Sequence, residues 1–263
     1  MRILAILASL VLAGAVQAQG LFSMQSKQDG HQWEAVGRLE LSGEAFCTGA
    51  LIKTNLVLTA AHCLFDPATG ARIPVDEIQF LAGWRNGRAA AYRRVRKAVT
   101  HPDYLYSGPA DANRVRNDLA LIELQHPIRN TTITPFDTDF RPVDGARVGV
   151  VSYAHNRSEA PSLQEVCDVI TRQQGMLVLS CEVDFGASGS PVFSFGEDGK
   201  PRIVSVVSAK AEADGRPVSL GTSLEIPLNI LRITLANAQN PGVGTETLAA
   251  GDRRETGAKF VKP

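Results

Sequence analysis

Gly186-Ala187-Ser188-Gly189-Ser190-Pro191 is the stretch from which the rest of this 263-residue chain is read. A serine flanked by small residues, directly before the apolar pair Val192-Phe193, can present its hydroxyl on a tight loop whose backbone N–H groups point one way. Gly186 and Gly189 give that loop φ values closed to other residues and let a carbonyl approach the N–H groups, as stabilising a developing oxyanion requires. The same letters also describe a plain glycine-serine turn. Two further stretches weigh against the plain turn: Thr59-Ala60-Ala61-His62-Cys63 supplies a histidine, and Asn117-Asp118-Leu119-Ala120-Leu121-Ile122 supplies an aspartate at the head of an apolar run.

A serine hydroxyl is a poor nucleophile until a base takes its proton, and histidine has the unperturbed pKa suited to that task near neutral pH. A carboxylate then fixes the imidazole tautomer and stabilises the imidazolium. The chain order here is His62, Asp118, Ser188, which differs from the Asp-His-Ser and Ser-acid-His orders found on other folds. The G-x-S-x-G elbow also fails, since Ser190 stands where its last glycine belongs. Glu123 is a rival for the carboxylate and Ser190 for the nucleophile, while His31, His101, His126 and His155 read as structural histidines.

On these three motifs, in this order, the chain resembles the chymotrypsin/trypsin-fold serine endopeptidases, in their bacterial secreted branch, over roughly residues 36–235. The resemblance implies an all-β fold of two six-stranded antiparallel β-barrels with a C-terminal helix, the site lying in the cleft between barrels. His62 would be the base, Asp118 its orienting carboxylate and Ser188 the nucleophile, with the N–H groups of Gly186 and Ser188 forming the oxyanion hole. Pro191 fits the family layout G-x-S-x-x-P with Ser188, not Ser190, as nucleophile. The substrate would be a polypeptide, and neither metal nor organic cofactor is needed. Glu182, Ser205, Val206, Val207 and Gly221 fall where that family walls its specificity pocket, and they lean toward a basic or small apolar residue on the acyl side of the cut bond. Ala187 occupies the place where digestive members carry an aspartate that answers zymogen cleavage, so that switch cannot operate here. The alternative is a catalytically silent binding protein on the same fold. An esterase on another fold conflicts with the chain order and the strand-rich pattern.

Residues 1–18 read as a signal peptide: Arg2, an apolar run over residues 3–16, then Val16-Gln17-Ala18 with small residues at the cleavage positions. A secreted or periplasmic protein follows, with no membrane contact after removal of that segment. Export makes the four cysteines readable as disulfides. They permit three pairings; pairing sequence neighbours, Cys47 with Cys63 and Cys167 with Cys181, closes two short loops, each worth about 3 kcal/mol in the loop-entropy model. In the resembled family a disulfide sits beside the catalytic histidine, as the first pair would. A metal site is the competing reading, weakened by the absence of any C-x-x-C.

Lys plus Arg and Asp plus Glu both number 27, and this balance argues against nucleic acid or an anionic membrane as partner. The basic run Tyr92-Arg93-Arg94-Val95-Arg96-Lys97 reads as a solvated strand face, or else as a small substrate-contacting patch. Residues 19–33 are polar and aperiodic, a flexible N-terminus or short pro-segment. Residues 34–240 form the peptidase domain. Its first barrel, over about residues 34–126, takes strands at 36–41, 46–52, 56–59, 78–81, 92–99 and 119–124. The proline-marked segment 126–144 is the crossing, and the second barrel, over about residues 143–226, takes strands at 148–153, 163–170, 176–181, 191–195, 203–208 and 222–226. Pro227 opens a helix over about residues 227–238 with Leu228, Leu231 and Leu235 on one stripe. Residues 241–263 read as a flexible tail, and the protein is expected to act as a monomer.

Overall fold

The computed structural model describes residues 21–239 except 44, 108–110, 141, 185 and 214. The signal-peptide and tail segments predicted at 1–18 and 241–263 lie outside the described residues. A short strand, Leu21–Ser23 (β1), one helical turn, Lys27–Gly30 (α1), and a 3-10 turn, His31–Trp33, lead into six strands. These are Val36–Leu41 (β2), Ala45–Lys53 (β3), Leu56–Thr59 (β4), Ile78–Ala82 (β5), Ala91–Thr100 (β6) and Ala120–Leu124 (β7), with a short helix, Ala112–Arg116 (α2), before the last. Runs of branched and aromatic residues, cut by turns too tight for a helix, leave antiparallel pairing as the way to satisfy the backbone. The order β2-β3-β4-β7-β6-β5 closes on itself through pairing of β2 with β5, so no edge is left open.

The second half supplies Asp137–Thr138 (β8), Arg147–Ala154 (β9), Arg157–Gln173 (β10), Met176–Leu179 (β11), Pro191–Phe195 (β12), Pro201–Ala213 (β13) and Arg216–Ser223 (β14). Six of them form a second ring: β9 pairs β10, β10 pairs β11, β11 pairs β14, β14 pairs β13, β13 pairs β12 and β12 returns to β9. β1 adds to the outside of β10, and β8 adds in parallel to β13. The fold is thus two six-stranded antiparallel barrels closed by one C-terminal helix, Pro227–Gln239 (α3), as the sequence predicts.

Three departures have physical causes. Residues 21–33, polar enough to predict a flexible N-terminus or pro-segment, are built into the body. β1 pairs with Ser162–Gln164 of β10, and Met24 and Trp33 are buried. Trp33 packs its ring against Phe193 and Phe136, with centroids 4.9 and 5.9 Å apart. Two large side chains, not a periodic pattern, hold the segment. The last strand runs over 216–223, not 222–226, because it takes its register from the long β13, and Ile226 is left exposed. The basic run on β6 is structural in part: Arg93 donates to the carbonyls of His126 and Pro127, Arg96 pairs with Glu123, and the Lys97 ammonium donates to the Ala238 carbonyl at the end of α3. Among the described residues no helix is long and apolar enough to cross a membrane.

Candidate active site

His62 stands on the 3-10 turn Ala61–Leu64, immediately after β4. The turn is tied back to β3 by the disulfide Cys47–Cys63, one of two in the structure; the other is Cys167–Cys181, and both follow the sequence-neighbour pairing. The sulfurs of Cys47 and Cys63 lie close to the imidazole, but the disulfide leaves them no thiolate with which to ligate a metal.

Asp118 follows α2, whose first turn is capped by the Asp111 side chain accepting from Arg114 N–H. Its carboxylate accepts from the His62 backbone N–H at 2.8 Å through Oδ1, and lies 2.6 Å from His62 Nδ1 through Oδ2. The Ser208 hydroxyl donates to the same Oδ2 at 2.5 Å. Asp118 is nearly sealed from solvent, with 3 % of its side chain exposed, while 22 % of the His62 side chain is open to it. One ring edge is therefore fixed and the other left accessible. Burial, followed by the charge of nearby Asp118, raises the Tyr104 phenol far above its ordinary range, so it stays neutral at this site. The rival Glu123 is buried on β7, opposite Leu56 and paired with Arg96, and does not approach His62.

Ser188 sits on the loop before β12. Gly186 has φ +91 and Gly189 φ +76, both in the left-handed region. A Cβ at 186 would run into the Phe46 ring, and one at 189 into Thr59 and the Thr48 carbonyl, so the loop is pressed against the first barrel with no room for side chains. Within it the N–H groups of Ala187, Gly189 and Ser190 donate to the carbonyls of Asp184, Val207 and Ala187. Among the described residues, those of Gly186 and Ser188 have no acceptor. Ser190 is fully buried and its hydroxyl has no partner among the described residues, whereas Ser188 is partly exposed; of the two, Ser188 is the one open to the cavity. No hydrogen bond joins Ser188 Oγ to His62 among the described residues, a looseness common in substrate-free sites that tighten on binding.

Two residues that the motifs do not reveal join the halves of the site. Thr48, fully buried on β3, donates its hydroxyl to the Gly186 carbonyl at 3.1 Å and accepts from Tyr153 N–H at 3.0 Å, while its own N–H donates to the Ser188 carbonyl at 2.9 Å. One first-barrel residue thus fixes the second-barrel loop. Thr48→Val keeps the shape but removes the bond to Gly186 and orphans the Tyr153 N–H. Urea unfolding is expected to show a loss of about 2 kcal/mol, with Thr48→Ser close to the parent. A loss below 0.5 kcal/mol in the valine variant would contradict this assignment. Ser208 is the second such residue, and its sequence signal is no more than a serine after the apolar pair Val206-Val207.

The pocket residues are only partly brought together. A cavity of about 270 Å³ adjoins Ser188; Val207, one of the expected pocket residues, lines it, and its other walls are Val183, Asp184, Ser208, Ala209 and Lys210. Ser205, Val206 and Gly221 are buried in the sheet, Ser205 donating to the Thr222 carbonyl. Glu182 lines a different, neighbouring cavity. The cause is a bulge between Val207 and Ala209 where β13 pairs with β14, which turns the residues after the predicted segment toward Ser188.

Comparison with known proteins agrees with this architecture. Mouse serine protease 56 is 31 % identical over 117 residues, which is 44 % of this chain and 18 % of that protein. Guinea pig (Cavia porcellus) coagulation factor IX is 32 % identical over 93 residues, 35 % of this chain and 30 % of that protein. Mouse serine protease 23 is 28 % identical over 163 residues, 56 % and 42 % of the two chains. In each case the match spans less than half of the relative's length. A solved Glu endopeptidase, in complex with MPD, superposes with a TM-score of 0.65 at 17 % identity over 85 % of this chain and 100 % of that one, which establishes likeness of fold. Residues 23–225 match the family described as Trypsin, and the chain belongs to that family.

Proposed function

We propose that the protein is a serine endopeptidase that cuts polypeptides through an acyl-enzyme intermediate formed on Ser188. The observation that carries this reading is the sealed Asp118 carboxylate bonded to His62, beside a loop with two uncommitted N–H groups and a partly exposed serine. His62 Nε2 takes the Ser188 proton as Oγ attacks the peptide carbonyl, and returns it to the leaving amine. Asp118 holds the Nδ1 proton and stabilises the imidazolium. The N–H groups of Gly186 and Ser188 receive the oxyanion, each worth about 3 kcal/mol in the transition state. Water then enters and gives its proton to His62 as its oxygen attacks the acyl carbonyl; the bond to Ser188 Oγ breaks, His62 returns the proton to Oγ, and the acyl group leaves as a carboxylic acid.

We extend the reading to an exported enzyme of the bacterial secreted kind, acting as a monomer. Residues 1–18 and Ala187, in the place of a zymogen-type aspartate, support that extension. The alternative, a silent binding protein, draws on the absence of a Ser188–His62 hydrogen bond among the described residues. Labelling with a serine-directed organophosphonate separates the two. The expected result is one adduct, located by mass spectrometry on Ser188; folded, disulfide-bonded protein that takes no label would select the binding protein.

A further inference from the structure

Asp184 and Lys210 face each other beside the proposed nucleophile. The Lys210 ammonium lies 2.8 Å from Asp184 Oδ1. Both residues, with Val183, line two cavities: the one of about 270 Å³ that holds Ser188, and a second of about 320 Å³ that holds Glu182, Arg157 and Gln164. The ion pair therefore stands between the two. Lys210 is held there by its backbone, paired with Ser219 across β13 and β14. Its side chain is 50 % exposed and that of Asp184 43 %, so the pair contributes little to stability. Its effect is on shape and charge.

We propose that the Lys210–Asp184 bridge is the specificity determinant of the site. It closes the Ser188 cavity to long side chains and selects small uncharged residues on the acyl side of the cut bond. This rests on the peptidase reading above. A long side chain of the substrate would have to displace the lysine stem to reach the second cavity. The charged residues around the two spaces, Asp184, Glu182, Lys210 and Arg157, also sum to zero and offer neither sign an advantage. Without Lys210 the sum is −1 and the partition is gone. The same chain would then admit long basic side chains, with Asp184 on the way and Glu182 beyond.

The test compares chromogenic tetrapeptides that differ only in alanine, arginine or glutamate before the cut bond, using the exported, disulfide-bonded protein. The parent is expected to favour alanine at least tenfold in kcat/KM over both charged residues. Lys210→Gly is expected to raise the arginine-to-alanine ratio at least tenfold, while Lys210→Arg stays within about threefold of the parent. Organophosphonate labelling of Ser188 in each variant shows that the fold and the proton path survive. A labelled, active parent that prefers arginine or glutamate, or a Lys210→Gly ratio that does not move, overturns the specificity assignment alone. A parent with neither label nor cleavage overturns the peptidase reading and this inference with it.

Discussion

Ser188→Ala is expected to lower kcat for peptide cleavage on the order of 10⁶-fold, with KM little changed, and to abolish organophosphonate labelling. The size follows from what the substitution leaves behind. The Gly186 and Ser188 N–H groups still receive a carbonyl, and the cavity still binds the substrate. With no Oγ, however, no covalent bond forms and His62 has no hydroxyl to deprotonate. What remains is the 10³- to 10⁴-fold advantage over water that an oxyanion hole and binding alone supply. Stability is expected to change by less than about 0.5 kcal/mol, because the hydroxyl is partly exposed and unbonded among the described residues. Unchanged urea unfolding alongside lost turnover therefore separates chemistry from folding. Cleavage at the parental rate by this variant would remove Ser188 from the mechanism. The same substitution at Ser190 is the control, since its hydroxyl is buried and has no partner among the described residues.

How far the sequence alone leads depends on how locally each feature is encoded. The candidate residues His62, Asp118 and Ser188 could be singled out because each lies in a short local run and the three runs fall in one telling order: the turn after β4, the head of β7, the glycine-lined loop before β12. The disulfides were legible because short loops favour sequence neighbours. Features made by distant pairing were not. The N-terminal strand depends on β10, some 140 residues away, and on two buried side chains with no period between them. The register of β14 and the bulge that swings Ser208 and Lys210 toward Ser188 depend on pairing with β13, which no run of letters in either strand announces. On β13 the residues that line the cavity beside Ser188 thus lie a few positions beyond most of those expected from the sequence. Thr48 was invisible for the same reason: the groups that its hydroxyl and N–H reach, on Gly186, Ser188 and Tyr153, belong to the other barrel.

Asp118→Asn is expected to lower kcat on the order of 10⁴-fold while the protein folds and still carries Ser188. The hydrogen-bond directions at the carboxylate decide this. Its Oδ1 accepts from the His62 backbone N–H, a donor that cannot turn away. The asparagine carbonyl oxygen must therefore take the Oδ1 place, which puts the NH₂ group at the Oδ2 place. There the Ser208 hydroxyl, which donated to the carboxylate, rotates to accept one proton, and His62 Nδ1 must accept the other. An imidazole whose Nδ1 accepts carries its proton on Nε2. The edge facing the cleft is then a donor and cannot take a proton from Ser188. Every polar atom stays partnered, so urea unfolding is expected to move by no more than about 1 kcal/mol, while ¹⁵N NMR of the imidazole shows the proton transferred from Nδ1 to Nε2. Asp118→Ala is the comparison: it leaves both His62 donors and Ser208 without their buried acceptor and is expected to lose stability as well as activity. An asparagine variant that keeps the Nδ1 proton, or retains more than a tenth of the parental kcat, would show that Asp118 does not set the tautomer.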